Sequence, residues 1–257
     1  MRLGGIVRSL ACLGLAAAAA GRAAGALSIA AAANLTYALD GLDAEFNRAE
    51  PGVKVTTALG ASGSLVAQIR NGAPFDLFLG ADREFPAALV RTGDGIAATL
   101  TPFARGRLVL WTIRPALEVG DVAAAVRNPL VLKLAIANTD TAPYGRAARQ
   151  AMEKLGVWEA ARAKLVTAEN ISQAAQFVDT GNADAGFVAL SAVMSPKLRG
   201  RGRWTEVPSA LYEPLVQFAV VTRHGQDRAE AARYLAFLRG PEARAVLERL
   251  GYGSPPP

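Results

Sequence analysis

Leu27-Ser28-Ile29-Ala30-Ala31-Ala32-Ala33-Asn34-Leu35 decides the fold class of this chain. Leu27 to Ala31 is an apolar run of strand length. After Ala33-Asn34, the residues Leu35, Leu39, Leu42 and Phe46 recur at i, i+4, i+7 and i+11, which is one face of a helix. A strand that runs through small residues directly into a helix is the unit of an α/β protein with largely parallel sheets. Outward from this stretch the unit repeats. Pro51-Gly52 ends the helix, Val53 to Ala58 alternates as a second strand, and Gly60-Ala61-Ser62-Gly63-Ser64 is a small-residue turn. A short helix with Leu65 and Ile69 on one side then stops at Gly72, a left-handed cap. Phe75 to Gly80 reads as the third strand.

The middle of the chain follows the same logic. Leu108 to Ile113 and Leu132 to Ala137 read as strands, the second entering Asn138-Thr139-Asp140-Thr141-Ala142-Pro143-Tyr144-Gly145 before a helix that stops at Leu155-Gly156. Glu169-Asn170-Ile171-Ser172 opens another helix, which halts at Gly181, and Ala185 to Ala189 is the strand after it. Leu215 to Val221 is a strong apolar run. It is followed by helices from Arg228 to Leu238 and from Gly240-Pro241 to Gly251, and by a loose Ser254-Pro255-Pro256-Pro257 tail. No Pro/Ser linker divides the chain, so if there are two lobes, strands must cross between them.

The chain has 257 residues, 51% apolar and 19% charged, with one Cys and one His, which is globular arithmetic. Arg2, Arg8 and Arg22 lie in the first 26 positions, which hold no acid; beyond Ala26 the basic excess is only 25 to 22. With no basic block and no nucleic-acid motif, that class is set aside. The early arginines, the apolar run from Leu10 to Ala20 and Ala24-Gly25-Ala26 make a secretory signal over residues 1–26, cleaved after Ala26. Cys12 falls inside it, so the mature chain is expected to have neither disulfide nor thiolate chemistry. Ser9-Leu10-Ala11-Cys12 only faintly matches a lipoprotein site. No later stretch reaches the length of a membrane span.

The chemistry lies in the turns. At Asn34, Ser62, Tyr144 and Ile171 to Ser172 the chain presents backbone N–H groups at helix starts, where up to four donors lack an intrahelical partner and the peptide dipoles leave about half a positive charge. Such ends hold anions. The alternative for Asn34, Ser62 and Ser172 is an ordinary helix cap.

Ala30-Ala31-Ala32-Ala33-Asn34-Leu35, Gly60-Ala61-Ser62-Gly63-Ser64-Leu65 with Gln68-Ile69, and above all Gly72-Ala73-Pro74-Phe75-Asp76-Leu77-Phe78-Leu79-Gly80-Ala81-Asp82 resemble the periplasmic molybdate-binding proteins of ABC importers. The resemblance continues through Ala142-Pro143-Tyr144-Gly145, Lys154-Leu155-Gly156-Val157-Trp158, Ala168-Glu169-Asn170-Ile171 and Tyr234-Leu235 to Gly251-Tyr252, covering nearly the whole mature chain. It implies a two-lobed flytrap, with 27–106 plus 215–257 as the first lobe and 107–214 as the second, closing on molybdate or tungstate and delivering it to a membrane permease with its ATPase. It implies a periplasmic, monomeric, non-enzymatic protein without a cofactor, in which molybdenum enters only as its oxyanion and no protein atom ligates the metal. Ligand contacts carry over to the side chains and N–H groups of Asn34 and Ser62 and to the N–H groups of Tyr144 and Ile171, with Ala61 and Gly63 as further backbone contacts. Some relatives carry a ligand-binding Tyr where this chain has Ala189, and the Tyr144 hydroxyl is a candidate substitute. A donor-only site suits a dianion without a proton better than hydrogen phosphate, whose O–H requires an acceptor.

Other readings remain at this point. An exported hydrolase using Ser62 would need a histidine base, and His224 is the only one. Asp76 and Asp82 flank a strand and read as turn-capping carboxylates. Sulfate is a rival dianion. Ferric iron would need clustered tyrosines, and Tyr37, Tyr144, Tyr212, Tyr234 and Tyr252 are scattered along the sequence.

Overall fold

A computed structural model describes residues 25–255. The proposed export signal up to Ala24, with Cys12, and the last two prolines lie outside the described residues. Strand β1 spans Ala26–Ala32 and is followed by a 3-10 turn over Ala33–Leu35, helix α1 (Leu39–Ala49), β2 (Lys54–Gly60), α2 (Ser62–Arg70), β3 (Leu77–Gly80), α3 (Glu84–Thr92) and β4 (Thr101–Arg105). The chain then builds β5 (Leu108–Thr112), α4 (Val122–Arg127), β6 (Leu134–Ala137), α5 (Pro143–Lys154), α6 (Trp158–Arg162), β7 (Leu165–Ala168), α7 (Ile171–Asp179), β8 (Ala185–Ala189), α8 (Leu190–Met194) and β9 (Arg203–Glu206). It closes with β10 (Val216–Val221), α9 (Ala229–Leu238) and α10 (Pro241–Arg249). Among the described residues no helix is long and apolar enough to cross a membrane.

Two five-stranded sheets result, ordered β2-β1-β3-β10-β4 and β7-β6-β8-β5-β9. Each has a parallel trio, β2-β1-β3 or β7-β6-β8, extended by antiparallel partners, so the pairings divide evenly between parallel and antiparallel. In each trio the strand order reverses at the central strand, and the crevice beyond the carboxyl ends at such a point is where α/β sheets bind ligands. Alternation along β1 explains the layering of the first sheet. Ile29 and Ala31 face a core with α1, α9 and α10, whereas Ala30 faces a second core with α2 and α3. The second sheet's core runs on to the small residues Ala32, Ala33, Ala61 and Ala81 at the first sheet's strand ends. Two connections join the sheets, Gly106-Arg107 and the segment before β10, and they touch where the Gly106 N–H donates to the Leu215 carbonyl at 2.8 Å.

Candidate functional site

The carboxyl ends of β1, β2 and β3 face those of β6 and β7 across a small chamber whose free volume is only about 10 Å³, room for about one water. Asn34, Ala61 and Ser62 line it from the first sheet, and Tyr144, Asn170 and Ile171 from the second; no charged side chain is among its lining residues. Asn34, Ser62, Tyr144 and Ile171 are only 2, 1, 1 and 5% exposed, so these residues are shielded from bulk solvent.

Its polarity comes from helix starts, two of which, those of α2 and α5, no side chain caps. Ala61 precedes α2 and Ala142 precedes α5, and an alanine side chain cannot cap; Pro143 takes the first position of α5, where a missing N–H costs nothing. Ser62 is therefore the first residue of α2, not its cap. Asn34 lies inside the 3-10 turn, and α7 is capped by Asn170, whose Oδ1 accepts from Ser172 and Gln173 at 3.1 and 3.0 Å. The capping alternative thus fails for Asn34, Ser62 and Ser172 alike. The N–H groups of Ser62, Tyr144 and Ile171 fall in first turns, without an intrahelical acceptor. The Ser62 Oγ accepts from the Ala81 N–H at 3.2 Å, which fixes the hydroxyl and leaves its proton to donate.

Several residues stand differently from the sequence expectation. Both amide protons of Asn34 are committed, to Gln217 Oε1 at 2.8 Å and to the Tyr252 hydroxyl at 3.0 Å, so the donor Asn34 has left is its backbone N–H, and its Oδ1 is buried without a partner. The Gly63 N–H crosses the cleft to the Thr141 carbonyl at 2.9 Å, and Gly63 does not line the chamber. The Asn138 Oδ1 accepts from the N–H groups of Asp140 and Thr141 and so folds the loop that presents that carbonyl. Tyr144 is buried, yet its hydroxyl lies against Gly106, where an added Cβ would stand 2.0 Å from it, and it has no hydrogen-bond partner. Ala189 ends β8 outside the chamber lining; Ser191, two residues on, donates instead to the Asn34 carbonyl at 3.0 Å.

The rival chemistries do not assemble. His224 pairs with Asp76 at 3.1 Å before β3, while Ser62 bonds to Ala81 after it; five extended residues separate those ends by about 16 Å. Asp76 accepts from the Ser28 N–H at 2.8 Å, and Asp82 from the Phe85 N–H at 3.1 Å, both structural roles. Tyrosines scattered in sequence do gather: Tyr212 and Tyr252 lie close enough to Tyr144 to disfavour its phenolate. Burial pushes Tyr144 well above the ordinary tyrosine value, Tyr252 up to about 12, and Tyr212 upward. Among the described residues no group of three His, Cys, Asp or Glu side chains could hold a metal ion.

A family model for bacterial extracellular solute-binding proteins matches residues 27–253. The chain belongs to that family. Relatives of this solute-binding protein include the molybdate-binding protein ModA of Azotobacter vinelandii, 43% identical over 228 residues that cover 88% of this chain and 89% of the relative. The ModA of Rhodobacter capsulatus is 43% identical over 230 residues, covering 90% and 89%. In structure, this solute-binding protein matches the periplasmic molybdate-binding protein of Azotobacter vinelandii with a TM-score of 0.84 at 33% identity, over 90% of this chain and all of the other.

Proposed function

We propose that this protein captures molybdate, and with it tungstate, in the chamber between the sheets, and hands it to the permease of an ABC importer in the periplasm without catalysing a reaction. The lobes of the trap are 27–106 with 215–257, and 107–214. The donors are the Ser62 hydroxyl and the backbone N–H groups of Asn34, Ser62, Tyr144 and Ile171, supplemented by Ala61. The observation that carries this reading is a chamber lined by no charged side chain into which helix starts from both sheets converge. The names of the relatives support the choice of oxyanion.

Hydrogen bonds to a charged group contribute about 1.5–3 kcal/mol each, so about six give a gross of roughly 10–20 kcal/mol before anion dehydration and lobe closure are subtracted. Net binding between micromolar and nanomolar, about 8–12 kcal/mol, is what remains after costs of a few kcal/mol. Sulfate carries the same charge, so discrimination against it rests on chamber size. The test is titration with molybdate, tungstate, sulfate and phosphate while melting temperature is followed. A rise with the first two alone is expected; a rise with phosphate, or with none of the four, would refute the assignment.

A further inference from the structure

We propose that Gln217 is the positioning residue of the oxyanion site, holding the first lobe's two donor residues, Asn34 and Ser62, in register with the connection between lobes without touching the ligand. The inference rests on the reading of the chamber given above. Gln217 is fully buried in an otherwise apolar strand, at the point where the β10–β4 register shifts between Gln217 and Phe218. A glutamine amide there is costly unless every group is satisfied, and its partners are specific. Nε2 donates to the Leu215 carbonyl at 2.8 Å and to the Ala81 carbonyl at 3.3 Å. Carbonyls only accept, so the amide can face one way; Oε1 must then meet a donor, and it accepts from Asn34 Nδ2 at 2.8 Å.

This orientation propagates in two directions. Through Asn34, it withdraws the side-chain amide from the ligand and presents the backbone of the 3-10 turn, which is secured from behind because the Asn34 carbonyl accepts from the hydroxyls of Tyr252 at 2.7 Å and Ser191 at 3.0 Å. Through Ala81, whose carbonyl Gln217 holds and whose N–H binds Ser62 Oγ, it fixes the serine hydroxyl. Leu215, the third partner, is where the two connections between the sheets meet. One side chain thus ties both first-lobe donors to the crossing on which closure turns, and such preorganisation raises affinity by lowering the ordering cost of binding.

The experiment is a double-mutant cycle of Gln217→Met and Ser62→Ala, read by calorimetry with molybdate and with sulfate, on protein whose fold is checked by circular dichroism. Gln217→Met is expected to weaken molybdate at least tenfold and to narrow the molybdate-to-sulfate affinity ratio, a change that mere loss of stability does not produce. In the Ser62→Ala background the same substitution should cost only two- to threefold, because part of its effect runs through Ser62. If Gln217→Met does not fold, Gln217→Glu, which keeps the acceptor for Asn34 and loses the donors to Ala81 and Leu215, is put through the same cycle. Wild-type affinity in the Gln217 variant, fully additive losses, or an unchanged affinity ratio would overturn this inference alone. Failure of the unsubstituted protein to bind either molybdate or tungstate would overturn the proposed function and this inference with it.

Discussion

Arg146, in the first turn of α5, forms a salt bridge with Asp82 across the cleft, and its second nitrogen reaches Glu84 at 3.0 Å. The guanidinium also lies 5.9 Å from the centre of the Phe85 ring. Arg146 follows Tyr144 by two residues, so this latch joins the two sides of the cleft beside the chamber, and neither of its residues lines the chamber. Arg146→Ala is expected to weaken molybdate binding by about 1 kcal/mol, roughly fivefold, because a partly exposed pair contributes little more. Calorimetry at two ionic strengths should show the variant's affinity varying less with salt than that of the parent.

The same contact gives a pH signature. Burial, the largest influence, holds the Asp82 carboxyl above the ordinary carboxylate range, and the Phe85 N–H and Arg146 pull it only partway back. The folded protein therefore binds this proton more readily than the unfolded chain, and the stability contributed by Asp82 falls as pH rises from the ordinary value through the raised one. Urea unfolding over that acid range should show the parent gaining stability relative to Asp82→Asn as pH is lowered. A difference that does not vary with pH would refute the raised carboxyl.

Gly63 separates closure from folding. A Cβ there would meet Phe85 at 2.9 Å and the Thr141 Cα, on the far side of the cleft, at 3.1 Å. The Phe85 ring, on the same side as Gly63, must turn aside, which offsets the up to about 1 kcal/mol by which alanine is the better helix former, so Gly63→Ala should change the stability of the ligand-free protein little, yet weaken molybdate several-fold. Paired melting and titration experiments check both halves of this expectation.

Ser62→Ala removes a charge-assisted bond and should cost about 1.5–3 kcal/mol in affinity, on the order of ten- to a hundredfold. Tyr144→Phe should do the opposite of what a ligand hydroxyl would do. Its oxygen lies against Gly106 with no partner, so the variant is expected to keep its affinity and gain about 1 kcal/mol of stability, measured by calorimetry and denaturant unfolding.

What the sequence made legible was local. The strand-to-helix turns announced themselves because apolar runs ended in alanine, glycine and serine, and the structure places helix starts at Ser62 and Ile171 and a helix opening at Pro143. The spacing from Leu35 predicts a first helix that begins four residues before the observed one. Thr36 closes a 3-10 turn on the Ala33 carbonyl through both its N–H and its hydroxyl, and Leu35 reaches the core from that turn, imitating helical periodicity before α1 begins at Leu39. Strand β9, Arg203–Glu206, escaped notice because it is a short edge strand of mostly polar, exposed residues. Long-range partnerships were invisible for a different reason. Gln217 read as one more residue of an apolar run, and only folding brings Asn34 within hydrogen-bond reach of residues about 180 and 220 positions away. The commitment of the Asn34 amide, and of the Gly63 N–H to Thr141, follows from those contacts and could not be read from a motif.

An anomalous-scattering crystal structure of the protein grown with molybdate tests the central claim most directly. The account predicts a single molybdenum peak enclosed by Asn34, Ser62, Tyr144 and Ile171, its oxygens within hydrogen-bond distance of backbone N–H groups and the Ser62 hydroxyl, with Arg146 still turned toward Asp82. A peak gripped by lysine or arginine, a protein atom bonded to the metal itself, or density outside the chamber would contradict it.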